Sequence, residues 1–225
     1  MEKIIYHGSD HVIEKPEFGY GKPYNDYGLG FYCTENPDMA REWGVSLNRN
    51  GYANKYRIEC EGLSILDLNA PAYTMLHWLA VLLENREFDV SLPLAAEAKE
   101  YLLNNFLPDY KSADIITGYR ADDSYFSFAS DFLNGAISYR QLSNAMRLGK
   151  LGRQFVLKSR DAFERLEFME YEIADAGVWY KKKAFRDRTA RQQYFDTERN
   201  RRLRGDLYIT AILDEEMKPN DPRLR

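Results

Sequence analysis

Two short stretches of this chain carry side chains suited to holding a flat, charged, sugar-bearing molecule. They are Tyr6-His7-Gly8-Ser9 and Gly28-Leu29-Gly30-Phe31-Tyr32-Cys33-Thr34. A histidine closing a strand before Gly-Ser can bond a ribose hydroxyl with one ring nitrogen while the backbone fixes the other. The Tyr32 ring can stack on a cationic heterocycle, an interaction of roughly 0.5–2 kcal/mol depending on desolvation. Gly30 beside it lets a ligand come close to the backbone. Each residue also has a plainer reading. His7 can be a structural histidine bonding a nearby loop, and Tyr32 a core tyrosine in a chain with 17 of them. Taken singly, the plainer readings carry more weight; two such stretches on adjacent strands can cradle a dinucleotide without a phosphate loop.

Other candidate groups are the acids. Asp122-Asp123 can orient a substrate hydroxyl or act as a base. Ahead of a helix the same pair is ordinary capping chemistry, which is the preferred reading. Glu170 and Glu172 fall on one face of a strand, either as a catalytic pair or as a solvated edge, and the edge is preferred. His77 sits among Leu and Trp on a helix and reads as a core residue. His7 and His11 have zinc-like spacing, but the intervening Gly8-Ser9-Asp10 breaks a helix and lacks the expected Glu. No Gly-x-Gly-x-x-Gly opens a helix, and Walker loops and Gly-x-Ser-x-Gly elbows are missing. Three histidines give little support to a Ser-His-Asp or Cys-His site.

These residues need strands to position them. Lys3–His7 reads as a strand, and the Gly- and Pro-punctuated stretch from Gly8 to Gly30 as loop. Phe31–Thr34 is a second strand. Asn36-Pro37-Asp38 then opens a helix with a cap, a first-turn Pro and an acid, running to about Leu47. Tyr52–Cys60 alternates as a half-buried strand, with Leu63–Leu68 read as its neighbour. Residues 72–107 change to helical spacing, a helical pair inserted between β segments. Further strands are expected at 114–118, 154–158 and 167–174, and helices at 124–133, after Ser138, and at 160–166.

Composition sets the frame. With 225 residues and 44% hydrophobic content, the chain can bury one substantial core. Its apolar run Met75–Leu83 is far too short to span a bilayer, and no signal peptide is visible. Cys33 and Cys60 lack metal-type spacing and read as free thiols in a reducing compartment, the cytoplasm. Residues 181–204 hold ten Lys/Arg against three acids, a local +7 that leaves −11 for the rest of a chain of net −4. That asymmetry fits either a nucleic-acid-facing element or a solvated helix balancing an acidic body, the latter slightly preferred.

The His-Gly-Ser and Gly-x-Tyr stretches, followed by Asn36-Pro37-Asp38-Met39-Ala40, are similar to the corresponding segments of poly(ADP-ribose)-polymerase-like enzymes. The whole chain more closely resembles a bacterial family of uncharacterised-domain proteins related to ADP-ribosyltransferases. Residues 6–9, 26–34, 114–123 and 154–159 carry the likeness, which covers most of residues 3–175. It implies an α+β fold with an ADP-ribosyltransferase-like split β-sheet core. The chain is then one domain over 1–225, with a helical insertion at 72–110 and a basic C-terminal helix at 178–204. It also implies NAD as substrate. His7 would hold the adenosine ribose, the Gly8 backbone the nicotinamide amide, and Tyr32 the nicotinamide ring, with Ser9 and Gly30 in the same cofactor-binding stretches. Gln154 stands where the superfamily places a catalytic Glu, making a His-Tyr-Gln variant of a His-Tyr-Glu site. An amide cannot match a carboxylate beside an oxocarbenium-like transition state, though it can still fix the ribose. This argues against polymer elongation and leaves mono-ADP-ribosyl transfer to a protein, RNA or DNA acceptor, with Asp123, Glu170 or Glu172 as other sources of charge. The resemblance further implies a toxin or phage-defence component with an antitoxin partner. The alternatives are an NAD glycohydrolase and a catalytically silent nucleic-acid-binding module.

Overall fold

The computed structural model describes residues 1–120, 123–148 and 152–225. It is mixed α+β, and its chain divides into two compact units. The first comprises Met1–Asp67, Asp109–Arg120 and Leu151–Arg186, the second Leu68–Pro108, Ala121–Lys150 and Asp187–Arg225.

The first unit is built on a seven-stranded sheet. Its strands are β1 (Glu2–Ser9), β2 (Phe31–Thr34), β3 (Gly51–Glu59), β4 (Ile65–Asp67), β5 (Ile115–Tyr119), β6 (Arg153–Leu157) and β7 (Leu166–Ala174). The order is β4-β5-β6-β2-β1-β3-β7. β4 and β5 run parallel and every other neighbouring pair antiparallel. β1 and β3 are in register from Glu2↔Glu59 to Ser9↔Tyr52, whereas β1 and β2 share the single register pair Tyr6↔Thr34. The sheet therefore parts between β1 and β2 beyond that pair.

Alternation along the strands sorts the side chains onto two faces. One face holds Ile5, Phe31, Cys33, Tyr56, Ile58, Ile115, Phe155 and Leu157, packed with Ala162 of α6 (Arg160–Glu164) into an apolar core. The other is covered over β1 and β3 by α1 (Pro37–Gly44). As its sequence predicts, α1 starts at the Asn36 cap, whose side chain accepts from the Asp38 amide, with Pro in the first turn. It packs directly on backbone: a Cβ on Gly8 would lie 2.0 Å from the Ala40 carbonyl, and one on Gly51 2.0 Å from that of Gly44.

Three expectations need correction. The helix after Asn36 stops at Gly44 rather than near Leu47, because Val45 is already extended and Gly44 lies against the Tyr52 backbone. The segment Leu63–Leu68 is not a neighbour of β3. Ser64 is bonded to Asp114 through both its amide and its hydroxyl, which aligns β4 with β5 at the far edge, while β7 takes the second edge of β3. The basic helix is also shorter than 178–204. α7 spans Ala176–Gln193, a π-helical turn follows at Tyr194–Arg199, and residues 200–208 are not helical.

The second unit is helical. α2 (Met75–Asn85) is buried on all sides from Met75 to Leu83, as expected of a helix apolar all round. It packs against α3 (Pro93–Phe106), so the helical pair expected here is present. His77 is buried, with its Nδ1 accepting from the Thr74 amide at 2.9 Å, a capping role within the core. α4 (Asp123–Leu133) is followed by α5 (Tyr139–Ala145), which Ser138 and Gln141 cap reciprocally. The segment after α7 is bound to these helices: Tyr194 donates to Asp131 at 2.6 Å, and Arg140 forks onto Asp206 at 2.8 and 2.9 Å. α8 (Ile209–Asp214) closes the unit. No described helix is long and apolar enough to cross a membrane.

Candidate functional site

Register decides which predicted residues meet. Across β2 and β6, Tyr32 pairs with Val156 and Thr34 with Gln154, and Gln154 in turn pairs with Gly118 of β5. Cross-strand partners share a face, so Tyr32, Thr34 and Gln154 lie together on the face opposite Phe31 and Phe155. Gln154 is 6% exposed and its buried Oε1 has no hydrogen-bond partner among the described residues. A buried amide oxygen left unsatisfied costs about 1–3 kcal/mol, so this acceptor stands out.

His7 alternates to the opposite face, with Ile5 and Phe31, and meets Tyr32 at its backbone. Its Nδ1 bonds the backbone carbonyl of Tyr32 at 2.7 Å, and its ring stacks on Phe31 with centroids 4.4 Å apart. The ring thus goes with Phe31, not with the Tyr32 ring. Burial holds the imidazole below its ordinary value of 6.5, against the raising effect of the Tyr32 carbonyl. A neutral ring donating from Nδ1 leaves Nε2 as an acceptor. The backbone fixes one nitrogen, a bond that the ribose-binding and the structural reading of His7 share.

Tyr32 is held by its hydroxyl, which donates to the Gly28 carbonyl at 2.5 Å and accepts from the Tyr27 amide at 3.0 Å. Lys158 grips the same loop, its Nζ donating to the carbonyls of Tyr27 and Leu29 at 2.5 Å each. Burial, with a smaller push from Lys111, brings the Lys158 ammonium down to about 8. Tyr27 in turn donates to the Tyr119 carbonyl at 2.5 Å and lies against Gly118. The loop Asp26–Gly30 is therefore tied to β2, β5 and the end of β6.

The glycines answer to packing. A Cβ at Gly30 would meet Leu157 and Val156 of β6 at 2.8 Å, and one at Gly8 would meet α1. At both, the close neighbour is the protein itself, which explains glycine there without any ligand. Ser9 is engaged locally, its hydroxyl donating to the His11 carbonyl at 2.6 Å and accepting from Asn54 at 2.8 Å.

The alternative acids fall elsewhere. Glu170 pairs with Lys55 and Glu172 with Arg41, on the exposed edge strand β7. β7 lies four strands from β6, about 19 Å at ~4.8 Å per strand. They are edge ion pairs and bring no charge to Gln154. Asp122 and the Asp123 side chain lie outside the described residues.

The acid that does reach Gln154 carried no assigned role in the sequence. Asp26, 5% exposed, accepts from Gln154 Nε2 at 3.5 Å. Its only signal was membership of the Asp-Tyr-Gly run. Trp43 was also missed: it packs over Gly8, its buried Nε1 has no partner among the described residues, and the Arg120 guanidinium lies 4.1 Å from its ring centre. Cys33 and Cys60 are free and buried, and burial pushes the Cys33 thiol up, away from nucleophilic use.

A family model described as "Protein of unknown function (DUF3990)" matches residues 3–168, from β1 into β7. No curated protein and no solved structure matches the chain.

Proposed function

The chain belongs to the DUF3990 family, and within it we propose a mono-ADP-ribosyltransferase that moves ADP-ribose from NAD to a protein or nucleic-acid acceptor. The observation that carries this reading is the partnerless, buried Oε1 of Gln154 on the face it shares with Tyr32. A buried acceptor without a protein partner is suited to a hydroxyl supplied from outside, and Gln154 is the position that the resemblance assigns to the nicotinamide ribose.

In this reading His7 accepts an adenosine-ribose hydroxyl at Nε2, the Gly8 backbone bonds the nicotinamide amide, and the Tyr32 ring stacks on the nicotinamide. Gln154 accepts a hydroxyl of the second ribose. The C–N glycosidic bond breaks with its electron pair leaving on nicotinamide, and the ribose carbon develops oxocarbenium character. The acceptor's nucleophile then bonds that carbon and releases its proton. The neutral amide gives weaker transition-state stabilisation than a carboxylate, which favours one slow transfer over polymer growth. A toxin or phage-defence role, an antitoxin partner and a cytoplasmic home belong to the same proposal.

Labelled NAD incubated with the protein and cell lysate tests it. The reading predicts labelled protein or nucleic acid, lost in Tyr32→Ala; no label with either protein contradicts it. Nicotinamide release without labelled macromolecule selects NAD hydrolysis instead.

One observation favours a second reading. Lys181, Lys182, Arg188, Arg191, Arg201, Arg202 and Arg204 are exposed along α7 and the segment after it, with Phe185 and Phe195 65% and 48% exposed. A nucleic-acid-binding module would use them, and its binding would weaken steeply with salt. Binding insensitive both to salt and to charge reversal at Arg201 and Arg202 removes it.

A further inference from the structure

We infer that Asp26 is a positioning residue that acts through Gln154, fixing its amide so that an acceptor backed by negative charge faces the bound ribose. The inference rests on the NAD reading above and goes beyond it by locating the acid that position 154 lacks.

An ionised Asp accepts hydrogen bonds and donates none, whereas a Gln amide can turn either its NH2 or its oxygen toward a neighbour. Gln154 Nε2 points at Asp26 Oδ2 at 3.5 Å, the outer limit of hydrogen-bond reach. The reverse orientation would set the amide oxygen against the carboxylate. Asp26 therefore selects one amide rotamer, and that rotamer leaves Oε1 as the group without a partner. Both side chains are more than nine-tenths buried, so water does not screen the pair as it would on the surface.

The same geometry explains why position 154 is not Glu. Two carboxylates in contact cannot both stay ionised, and one would take up a proton. With the acid at Asp26, a neutral residue at 154 keeps a single carboxyl group in the site. The swap Asp26→Asn with Gln154→Glu keeps one carboxylate facing one amide, moving the charge to position 154.

The test measures nicotinamide release from NAD, with thermal midpoints, for the wild type, D26N, Q154E and the double variant D26N/Q154E. D26N is expected to lower kcat about 10-fold or more with KM for NAD changed less than about 3-fold, since roughly 1.4 kcal/mol corresponds to a factor of ten. Q154E is expected to lose activity as well, and the double variant to recover to within about 5-fold of the wild type, the non-additivity that marks a coupled pair. D26N with unchanged kcat overturns the inference, as does a double variant that is folded and inactive or does not fold. If the wild type neither binds nor cleaves NAD, the proposed function fails. The orienting role is then read from midpoints alone: a fall in D26N restored in the double variant supports it, and no restoration overturns it.

Discussion

His7 Nδ1 lies 2.7 Å from the carbonyl oxygen of Tyr32, bridging the point where β1 and β2 stop pairing. A side chain thus supplies a bond where the ladder ends, which makes the protonation of one imidazole a property of the sheet. Burial lowers the His7 value below 6.5, and burial does the same to His77. Between the lowered values and 6.5 the unfolded chain binds more protons than the folded one. Stability is therefore fully present above pH 6.5 and falls as pH drops below it. Urea midpoints should be lower at pH 5.5 than at pH 7.5. His7→Gln should shrink that difference without abolishing it, because His77 remains. Equal midpoints at the two pH values would refute the account.

The Tyr32 hydroxyl and ring have separable roles. Tyr32→Phe removes the bonds to Gly28 and Tyr27 and should cost about 1–3 kcal/mol, with faster amide hydrogen exchange across residues 26–30. The ring persists, so NAD affinity should fall less in Tyr32→Phe than in Tyr32→Ala. An equal fall in both would mean that the ring does not touch the ligand.

Gly8 is set by helix packing. Gly8→Ala drives a Cβ to 2.0 Å from the Ala40 carbonyl and should destabilise by about 3 kcal/mol or fail to fold. Gly19→Ala provides the contrast, since its φ is +83° but nothing lies within 4 Å. There the cost should be about 1–2 kcal/mol, from the left-handed backbone alone. Denaturant titration of both variants checks the ordering.

Glu42 and Arg186 join α1 to α7 at 2.9 Å, with side chains 6% and 13% exposed. Glu42→Ala removes the carboxylate facing a largely buried guanidinium and should cost about 3–5 kcal/mol. A loss under 1 kcal/mol in chemical denaturation would show that the pair is solvated in solution.

Local signals in the sequence reached as far as local structure. Asn36-Pro37-Asp38 located the start of α1 because a cap needs only its own neighbours. The alternation of Tyr52–Cys60 located β3 for the same reason. Strand partnership is non-local, so the pairing of β4 with β5 rather than β3 had no signature in residues 63–68. Gly8 and Gly30 were legible as places needing close approach, but not as places where α1 and β6 make it. Asp26 was invisible as a site residue because its contact with Gln154 spans 128 positions. The acids that alternation did highlight, Glu170 and Glu172, belong to an edge-strand ion-pair ladder.

The central claim is that the face shared by Tyr32 and Gln154 binds NAD, and titration calorimetry of NAD into the wild type, Tyr32→Ala and Gln154→Leu tests it most directly. The account predicts saturable one-to-one binding to the wild type, weakened at least about 10-fold, or roughly 1.4 kcal/mol, in each folded variant. No binding heat with the wild type, or affinity unchanged in both variants, would contradict it.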